Sequence, residues 1–183
     1  MFKDSFKSIP VLETERLILK QFTIDDIPEY RLHFENLNVQ KYLGGLSLLR
    51  DNERDAKNWL RNINDRLLKL KLVFTWHITD KQNKSIGRID LGGFQNKKAA
   101  EISYYIWEEN WGRGYAPEAV KRVVEFGLKN LELARIQAVI HVENTGSQKT
   151  IEKAGFIKEG MLKNFPLGKS ISDVFMYSVT SSS

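Results

Sequence analysis

The feature of this sequence that most constrains its fold is a change in hydrophobic period near Asn110. Before it, three short extended runs separated by turn-like residues predict β-strands over 72–79, 86–91 and 100–107. After it, helices are predicted over 117–130 and 145–154, with a strand over 136–142 between them. A strand meander that leads into a strand–helix alternation predicts an α+β domain with a mixed, mostly antiparallel central sheet flanked by helices.

The N-terminal third adds a strand and two helices to this plan. An alternating run predicts a strand over 16–22, and a short helix is expected to begin after Thr23. Three- and four-residue spacings predict an amphipathic helix over 51–70, with apolar positions Ala56, Trp59, Leu60, Ile63, Leu67 and Leu68. Short strands over 156–157 and 174–179 are expected to complete the sheet.

The composition is that of one ordinary globular domain. The chain has 183 residues, of which 42% are hydrophobic and 28% charged, and this excludes a disordered chain, a coiled-coil rod and a collagen-like repeat. No composition break suggests a second domain, so we expect a single domain over 1–183 with flexible ends at 1–10 and 180–183. The absence of cysteine excludes disulfides, cysteine-based zinc sites and a thiol nucleophile.

The charge and hydropathy patterns narrow the possible partners. No apolar run approaches the roughly 18 residues that span a membrane, and residues 1–10 lack the apolar core of a signal peptide, so we expect a cytoplasmic protein with no membrane partner. The net charge of +5 can attract anionic ligands, but Lys and Arg are scattered, so direct nucleic-acid binding is not expected. His33, His77 and His141 are isolated in the sequence, and no metal site is expected.

A glycine-bearing loop opens the first of the late helices. The loop comprises Trp111, Gly112, Arg113, Gly114, Tyr115 and Ala116, and Pro117 follows at the predicted first helical position, where its missing N–H costs nothing. The amides of a first helical turn lack internal partners and the helix dipole makes that end positive, so such a loop can hold a phosphate or pyrophosphate. Arg113 can add a charge-assisted hydrogen bond.

The plainer alternative is a tight turn that binds nothing. Glu118 favours it, because a carboxylate in the first turn can satisfy the dipole itself. Two other phosphate loops are excluded by detail. A Walker loop ends in Gly-Lys-Ser/Thr, whereas Gly114 is followed by Tyr115 and Ala116. A dinucleotide-binding turn needs a third glycine where Pro117 stands.

Three ordered segments carry a family resemblance: residues 100–106 (AEISYYI), 111–119 (WGRGYAPEA) and 144–156 (NTGSQKTIEKAGF). Together they resemble the GNAT acetyltransferase superfamily, and within it the ribosomal-protein alanine acetyltransferase branch (RimJ/RimL type). The likeness extends over nearly the whole chain, from Leu12 to Tyr177. It implies the GNAT fold, with a sheet splayed between the strands at 100–107 and 136–142, and acetyl-CoA as the ligand of the glycine loop.

The resemblance also implies how acetyl-CoA is held. The loop that begins at Trp111 would bind the coenzyme pyrophosphate through the amides of residues 112–116. The main-chain groups of Tyr105, Ile106 and Trp107 would pair with the pantetheine arm as a neighbouring strand would. Asn144, at the end of its strand, would bond either to backbone or to the coenzyme, and we expect the coenzyme side.

Acetyl transfer from a thioester to an amine needs a neutral nitrogen, a polarised carbonyl and a protonated leaving thiolate. By resemblance, Glu101 is the candidate general base, and it acts directly or through a water. The alternative is that Glu101 is a solvated residue at the edge of its strand, paired with Lys97 or Lys98.

The candidate general acid is Ser147. Many members of the superfamily use a tyrosine where this chain has Ile151, which cannot donate a proton, and the resemblance to the RimJ/RimL branch points to Ser147 instead. Its ordinary alternative role is helix capping. Tyr104 and Tyr105 should point to opposite faces of their strand, so only one of them can line a cleft.

The sequence therefore predicts an acetyl-CoA-dependent N-acetyltransferase, a monomer or homodimer without a metal. The amine would attack the thioester directly in a ternary complex, and the branch implies a protein N-terminal α-amine as acceptor. Two alternatives stay open. One is an acetyltransferase for a small-molecule amine such as an amino acid, polyamine or antibiotic, which would differ in the pocket formed by residues 23–70. The other is a non-catalytic CoA-binding module, which would need neither Glu101 nor Ser147.

Overall fold

A computed structural model describes residues 7–42, 53–66 and 69–181 of the chain. Its strands are β1 (Leu12–Glu13), β2 (Leu17–Lys20), β3 (Val73–Asp80), β4 (Ser85–Gln95), β5 (Ala99–Ile106), β6 (Arg135–His141), β7 (Ile157–Leu167) and β8 (Ser170–Thr180). Its helices are α1 (Ile27–Phe34), α2 (Leu37–Gln40), α3 (Glu53–Arg61), α4 (Tyr115–Glu125) and α5 (Thr145–Lys153). Within the described ranges, none of the helices combines the length and apolar character that a membrane crossing needs.

The strands form one eight-stranded sheet in the order β1-β2-β3-β4-β5-β6-β8-β7. Each neighbouring pair is antiparallel except β5 and β6, which are parallel. The parallel pair follows from the crossover through α4, because parallel neighbours need a long connection across one face of the sheet. The prediction of an α+β fold with a mixed, mostly antiparallel sheet is confirmed.

The pairing between β5 and β6 is short. Residues 99–101 lie opposite residues 135–137, and Glu101 opposite Gln137 is the last rung recorded between the two strands. Both strands continue beyond that rung, to Ile106 and to His141, so they diverge toward their carboxyl ends. The predicted splay between these two strands is confirmed.

Apolar residues bury both faces of the sheet, in two separate clusters. The larger cluster lies on the side of α4, whose buried residues Ala119, Val120, Val123 and Val124 pack against the sheet. The smaller cluster lies on the other face and contains Phe22, Tyr30, Val39, Ile63, Tyr105 and Trp107. The site described below is therefore built on a sheet whose two faces are held by different sets of helices.

Two helix predictions need correction. The helix after the glycine loop begins at Tyr115, so Pro117 is its third residue and not its first. Proline is tolerated there because amides throughout the first turn lack an intrahelical acceptor. The helix predicted over 51–70 is α3 followed by a π-type turn at Asn62–Arg66, and the predicted apolar positions Leu67 and Leu68 lie outside the described residues.

The predicted strand at 156–157 extends much further, since β7 reaches Leu167. β7 is the edge strand of the sheet, and all its residues from 157 to 164 are exposed. A strand with neither face buried carries no apolar alternation, so its length could not be predicted from hydrophobic period.

The segment expected to be a flexible N-terminal end contributes to the core where it is described. Ile9 is buried in the larger cluster, and the Pro10 carbonyl accepts a 2.8 Å hydrogen bond from the Trp76 indole nitrogen. Residues 1–6 and 182–183 lie outside the described residues.

A buried polar network joins the first turn after β2 to the sheet. The Ser85 hydroxyl lies 2.8 Å from His77 Nε2, and His77 Nδ1 lies 3.3 Å from the Asp26 carboxylate. The order Ser–His–Asp is that of a hydrolytic triad, but Ser85 is fully buried and its oxygen accepts a hydrogen bond from the Trp107 indole. No substrate can reach this serine, so the network is structural.

The Asp26 carboxylate makes this network sensitive to acid. Burial opposes its ionisation, but the nearby His77 imidazole and hydrogen bonds from the Thr23 amide (2.7 Å) and hydroxyl (2.8 Å) outweigh burial and lower the pKa of Asp26 to about 2. A lowered pKa in the folded state stabilises the protein above pH 4, and that contribution is lost as the pH falls through about 2.

We therefore predict that Asp26→Asn lowers the free energy of unfolding at pH 7 by about 1.5–3 kcal/mol, the usual contribution of a hydrogen bond to a charged group. Urea unfolding between pH 7 and pH 2.5 should show a smaller acid-induced loss in the variant than in the wild type. Asp25→Asn, at a neighbouring exposed carboxylate, is the matched control and should unfold as the wild type does. Equal acid sensitivity of the wild type and Asp26→Asn would contradict the assignment.

Candidate active site

The divergence of β5 and β6 opens a gap in the middle of the sheet. The Trp107 amide donates to the Ile86 carbonyl of β4 (3.0 Å), whereas the Lys98 carbonyl accepts from the Ala134 amide on the β6 side (2.8 Å). Because successive strand residues point their main-chain groups to alternate neighbours, the even-numbered residues of β5 face β6. The amides and carbonyls of residues 104 and 106 are therefore the ones that face the gap.

Trp111 ties the glycine loop to the end of β5. Its indole nitrogen donates a 2.7 Å hydrogen bond to the Ile106 carbonyl, and its ring remains half exposed. The loop thus begins at a fixed distance from the gap. Trp111 therefore joins the loop to β5.

The glycines of the loop have the backbone conformation expected of them. Gly112 and Gly114 have φ angles of 74° and 80°, in the left-handed region that favours glycine. Gly114 is the residue that caps α4, and residues 111–114 are exposed. The first amides of α4 therefore point into an accessible turn, as the binding of an anion requires.

The carboxylate of Glu118 is bound by residues outside the glycine loop. Its carboxylate accepts hydrogen bonds from the Thr14 hydroxyl (2.6 Å) and from the Arg16 amide (3.0 Å), and it forms an ion pair with the Arg16 guanidinium (2.5 Å). Although partial burial opposes ionisation, these hydrogen bonds and the Arg16 charge hold the pKa of Glu118 below its usual value. The negative charge of Glu118, which favoured a turn without a bound anion, is therefore neutralised by Arg16.

An open depression of about 450 Å³ lies beside the first turn of α4. It is lined by Glu15, Gly114, Pro117, Glu118, Lys121 and Lys153. Lys121 and Lys153 are exposed and come from α4 and α5, so two helices bring positive charge to the same side of the glycine loop.

Ser147 lies across the gap from β5. It stands in the first turn of α5, and its hydroxyl is 2.8 Å from the Tyr104 hydroxyl, which also contacts the Ser147 carbonyl (3.2 Å). Burial raises the pKa of Tyr104 to about 12, despite hydrogen bonds with Ser147 and Thr150 that favour the ionised form. Tyr104 therefore stays protonated at neutral pH, and the two hydroxyls form a protonated pair that joins β5 to α5 beside the gap.

Glu101 stands at the vertex of the gap. It is half-buried, and burial raises the pKa of its carboxyl group while a hydrogen bond with Gln137 partly offsets the rise. Since side chains alternate along a strand, Glu101 faces the same side as Tyr105 and the opposite side from Tyr104. A carboxylate with a raised pKa and a hydroxyl pair thus lie on opposite faces of the sheet at the same gap.

Of the three residues expected to pair with the pantetheine arm, only Ile106 turns its main-chain groups toward the gap. The main-chain groups of Tyr105 and Trp107 face β4, because alternate residues point to alternate neighbours. The Tyr105 and Trp107 side chains are buried in the smaller cluster, where the Tyr105 hydroxyl contacts that of Tyr30 (2.5 Å). The Asn144 side-chain oxygen caps α5 by accepting from the Ser147 amide (3.1 Å), which is the backbone role that the sequence analysis ranked second. His141 Nδ1 accepts from the Glu143 amide (3.1 Å).

Two residues that the sequence analysis did not assign to the site belong to this geometry. Tyr104 faces the gap, and strand alternation had left it and Tyr105 as equal choices. Arg16 reaches the loop from β2's leading end, and nothing in the sequence indicated this long-range contact. In the described part of the chain, no three or more histidine or carboxylate side chains converge as a metal site would require.

Comparison with protein families and curated relatives gives a consistent result. The acetyltransferase (GNAT) domain family matches residues 16–157. The uncharacterized N-acetyltransferase YoaA of Bacillus subtilis is 34% identical over 158 residues, which cover 85% of this chain and 88% of the relative. The uncharacterized N-acetyltransferase p20 of Bacillus licheniformis is 31% identical over 170 residues, with coverages of 92% and 94%.

Solved structures share the fold at lower sequence identity. A GNAT-family acetyltransferase from Bacillus anthracis superposes with a TM-score of 0.78 and 24% identity, over 93% of this chain and 98% of that one. A ribosomal-protein-S5-alanine acetyltransferase from Vibrio fischeri gives 0.78 and 21%, over 93% and 96%. A spermidine N-acetyltransferase from Vibrio cholerae, in complex with CoA and spermine, gives 0.74 and 22%, over 91% and 96%.

The capping role of Asn144 can be tested with two variants. We predict that Asn144→Ala lowers the free energy of unfolding by about 1 kcal/mol, the usual cost of losing an N-cap. Asn144→Asp is the matched control, because an aspartate oxygen caps equally well, and it should unfold at the wild-type urea concentration. Equal stability of all three proteins would show that the cap contributes nothing.

Proposed function

The chain belongs to the GNAT acetyltransferase family, and we propose that it transfers the acetyl group of acetyl-CoA to a protein N-terminal α-amine. The observation that carries the proposal is the gap after the Glu101–Gln137 rung, next to an exposed glycine turn that opens α4. A gap between strands can take an extended thioester arm, and the turn can take the diphosphate attached to it. The proposed mechanism is direct attack in a ternary complex, in the cytoplasm and without a metal.

In the proposed complex, acetyl-CoA extends from the glycine loop into the gap between β5 and β6. The amides of residues 112–116 would hold the pyrophosphate, with Arg113 exposed beside them. The Ile106 main chain would pair with the pantetheine arm, and Tyr105 and Trp107 would fix that strand through their buried side chains. Lys121 and Lys153 are positioned for the nucleotide end, since both line the depression beyond Gly114.

The general base of the proposed reaction is Glu101. Its half-burial raises the pKa of the carboxyl group, which makes the carboxylate a better proton acceptor than an exposed glutamate. The amine nitrogen attacks the thioester carbonyl as its proton passes to Glu101, directly or through a water, and the C–S bond then breaks. The main-chain amide of Tyr104, which also faces the gap, would stabilise the developing oxyanion, a contact worth about 3 kcal/mol in other enzymes.

The leaving thiolate would be protonated by Ser147. The single proton of the Tyr104 hydroxyl has two acceptors within reach, Ser147 Oγ (2.8 Å) and the Ser147 carbonyl (3.2 Å). When it is donated to Oγ, the Ser147 proton is free to point into the gap, and Tyr104 stays protonated near neutral pH because its pKa is raised to about 12. Base and acid then lie on opposite faces of the sheet. The acceptor enters from the Glu101 face while the sulfur leaves toward α5.

The acceptor class is supported by the surface around Glu101. On that face Ser103 is exposed and Gln137 and Val139 are half-buried, so an extended chain end can lie along β5 and β6. The fold is shared with a ribosomal-protein acetyltransferase. A polyamine is the second candidate, favoured by the carboxylate of Glu101 and by the shared fold of a spermidine acetyltransferase.

The function is tested by measuring thiol release from acetyl-CoA with two acceptor panels, peptides with free N-termini and polyamines, with mass detection of the acetylated product. The proposal expects turnover of peptides at their α-amine. Turnover of polyamines alone would replace the proposed acceptor with the second candidate. CoA uptake by calorimetry without any turnover would leave only a CoA-binding module.

For the base, we predict that Glu101→Gln lowers kcat about 100-fold and leaves the Kd for CoA within about twofold of the wild type. The wild-type rate should rise with pH as Glu101 loses its proton, in a limb centred above the ordinary glutamate value of 4.5, because burial raises its pKa. That limb should be absent from Glu101→Gln. Wild-type kcat in the variant would remove Glu101 from the mechanism.

A further inference from the structure

Arg16 contacts the glycine loop at more than one point, although it lies about a hundred positions earlier in the chain. Its Nη1 donates to the Arg113 carbonyl (2.9 Å), its Nε donates to Glu118 (2.7 Å), and its guanidinium lies 4.8 Å from the centre of the Tyr115 ring. A β-carbon added at Gly114 would come within 3.3 Å of Arg16 Nη2. One side chain therefore touches the loop before, at and after its second glycine.

These contacts fix the direction of the loop. An Arg113 carbonyl held by Arg16 fixes its peptide plane, and because that peptide is planar and trans, the Gly114 amide points away from Arg16. The planar fork of the guanidinium contacts the carbonyl and the carboxylate at once, which a flexible lysine ammonium cannot reproduce. The same pairing neutralises Glu118, which would otherwise place a negative charge in the first turn of α4.

The pair contributes little to folding, because the Arg16 side chain is 45% exposed and surface ion pairs are weak. Glu118 is less exposed, at 18%, and is held in addition by Thr14. The contacts of Arg16 with Glu118 and with the Arg113 carbonyl therefore fix the conformation of the loop more than they stabilise the core. Removing Arg16 should therefore change ligand binding without unfolding the domain.

We infer that Arg16 is a positioning residue for the pyrophosphate of acetyl-CoA: it acts through the Arg113 carbonyl and Glu118 and holds the loop amides in the conformation that binds the diphosphate. This inference rests on the proposed function of the loop. Arg16 itself need not touch the coenzyme.

The test compares two thioesters that differ in the diphosphate. Acetyl-CoA carries it, and acetyl-pantetheine lacks every phosphate. Arg16→Gln should raise the Kd for CoA and lower kcat/KM for acetyl-CoA about tenfold, while kcat/KM for acetyl-pantetheine stays at the wild-type value. Arg16→Lys, which keeps the charge without the fork, should recover only part of the loss. Lys129→Gln is the matched control, since it breaks the exposed 2.9 Å pair of Lys129 with Glu125 near the other end of the same helical segment, and it should behave as the wild type.

Each outcome is decisive. A fall in kcat/KM of similar size for both thioesters would mean that Arg16 supports the domain in general, and an unchanged Kd for CoA in Arg16→Gln would mean that the loop does not need it. Either result overturns the inference while the proposed function stands. Wild-type protein that takes up no CoA in calorimetry would instead end the proposed function, and the positioning role with it.

Discussion

Two parallel strands that stop pairing after residues 99–101 and 135–137 leave main-chain donors and acceptors in the middle of a sheet, and such groups need partners. The Trp111 indole supplies one, to the Ile106 carbonyl. The remaining groups that face the gap can be satisfied by water or by a ligand whose own amides run alongside the strand. The arm of a pantetheine has such amides, so the broken ladder creates a place for it.

The same interruption is the reason that we place the proposed reaction at this point of the sheet. Where β5 and β6 diverge, side chains from both faces reach one gap, with Glu101 on one face and Tyr104 and Ser147 on the other. In an unbroken sheet the two faces are separated by a continuous backbone. A reaction that takes a proton from one substrate and gives a proton to another needs an acid and a base that do not neutralise each other, and opposite faces provide this separation.

Much of the fold and the backbone conformation of the glycine loop could be predicted from the sequence. The meander, the α4 crossover and the left-handed glycines follow from local patterns, and the glycine conformation at Gly112 and Gly114 is a property of the residues themselves. The remainder depends on contacts between distant segments. Arg16 meets Glu118 only because β2 lies beside α4 in the folded chain, and β7 is exposed on both faces and leaves no apolar period to read. Strand alternation alone cannot tell whether Tyr104 or Tyr105 lines the gap. The contacts of the folded chain decide it, because Tyr105 is buried in the smaller cluster and Tyr104 lies beside Ser147.

The surroundings of the gap also differ in charge from one end to the other. Three cations, Arg113, Lys121 and Lys153, are exposed around the loop end, against Glu15 and a Glu118 that is already paired with Arg16. On the opposite face of the sheet, Glu101 brings a carboxylate to the gap. In the proposed function, the first end would attract a polyanionic coenzyme and the second an ammonium group. This difference in charge would let the two substrates occupy the gap together, as the proposed direct attack requires.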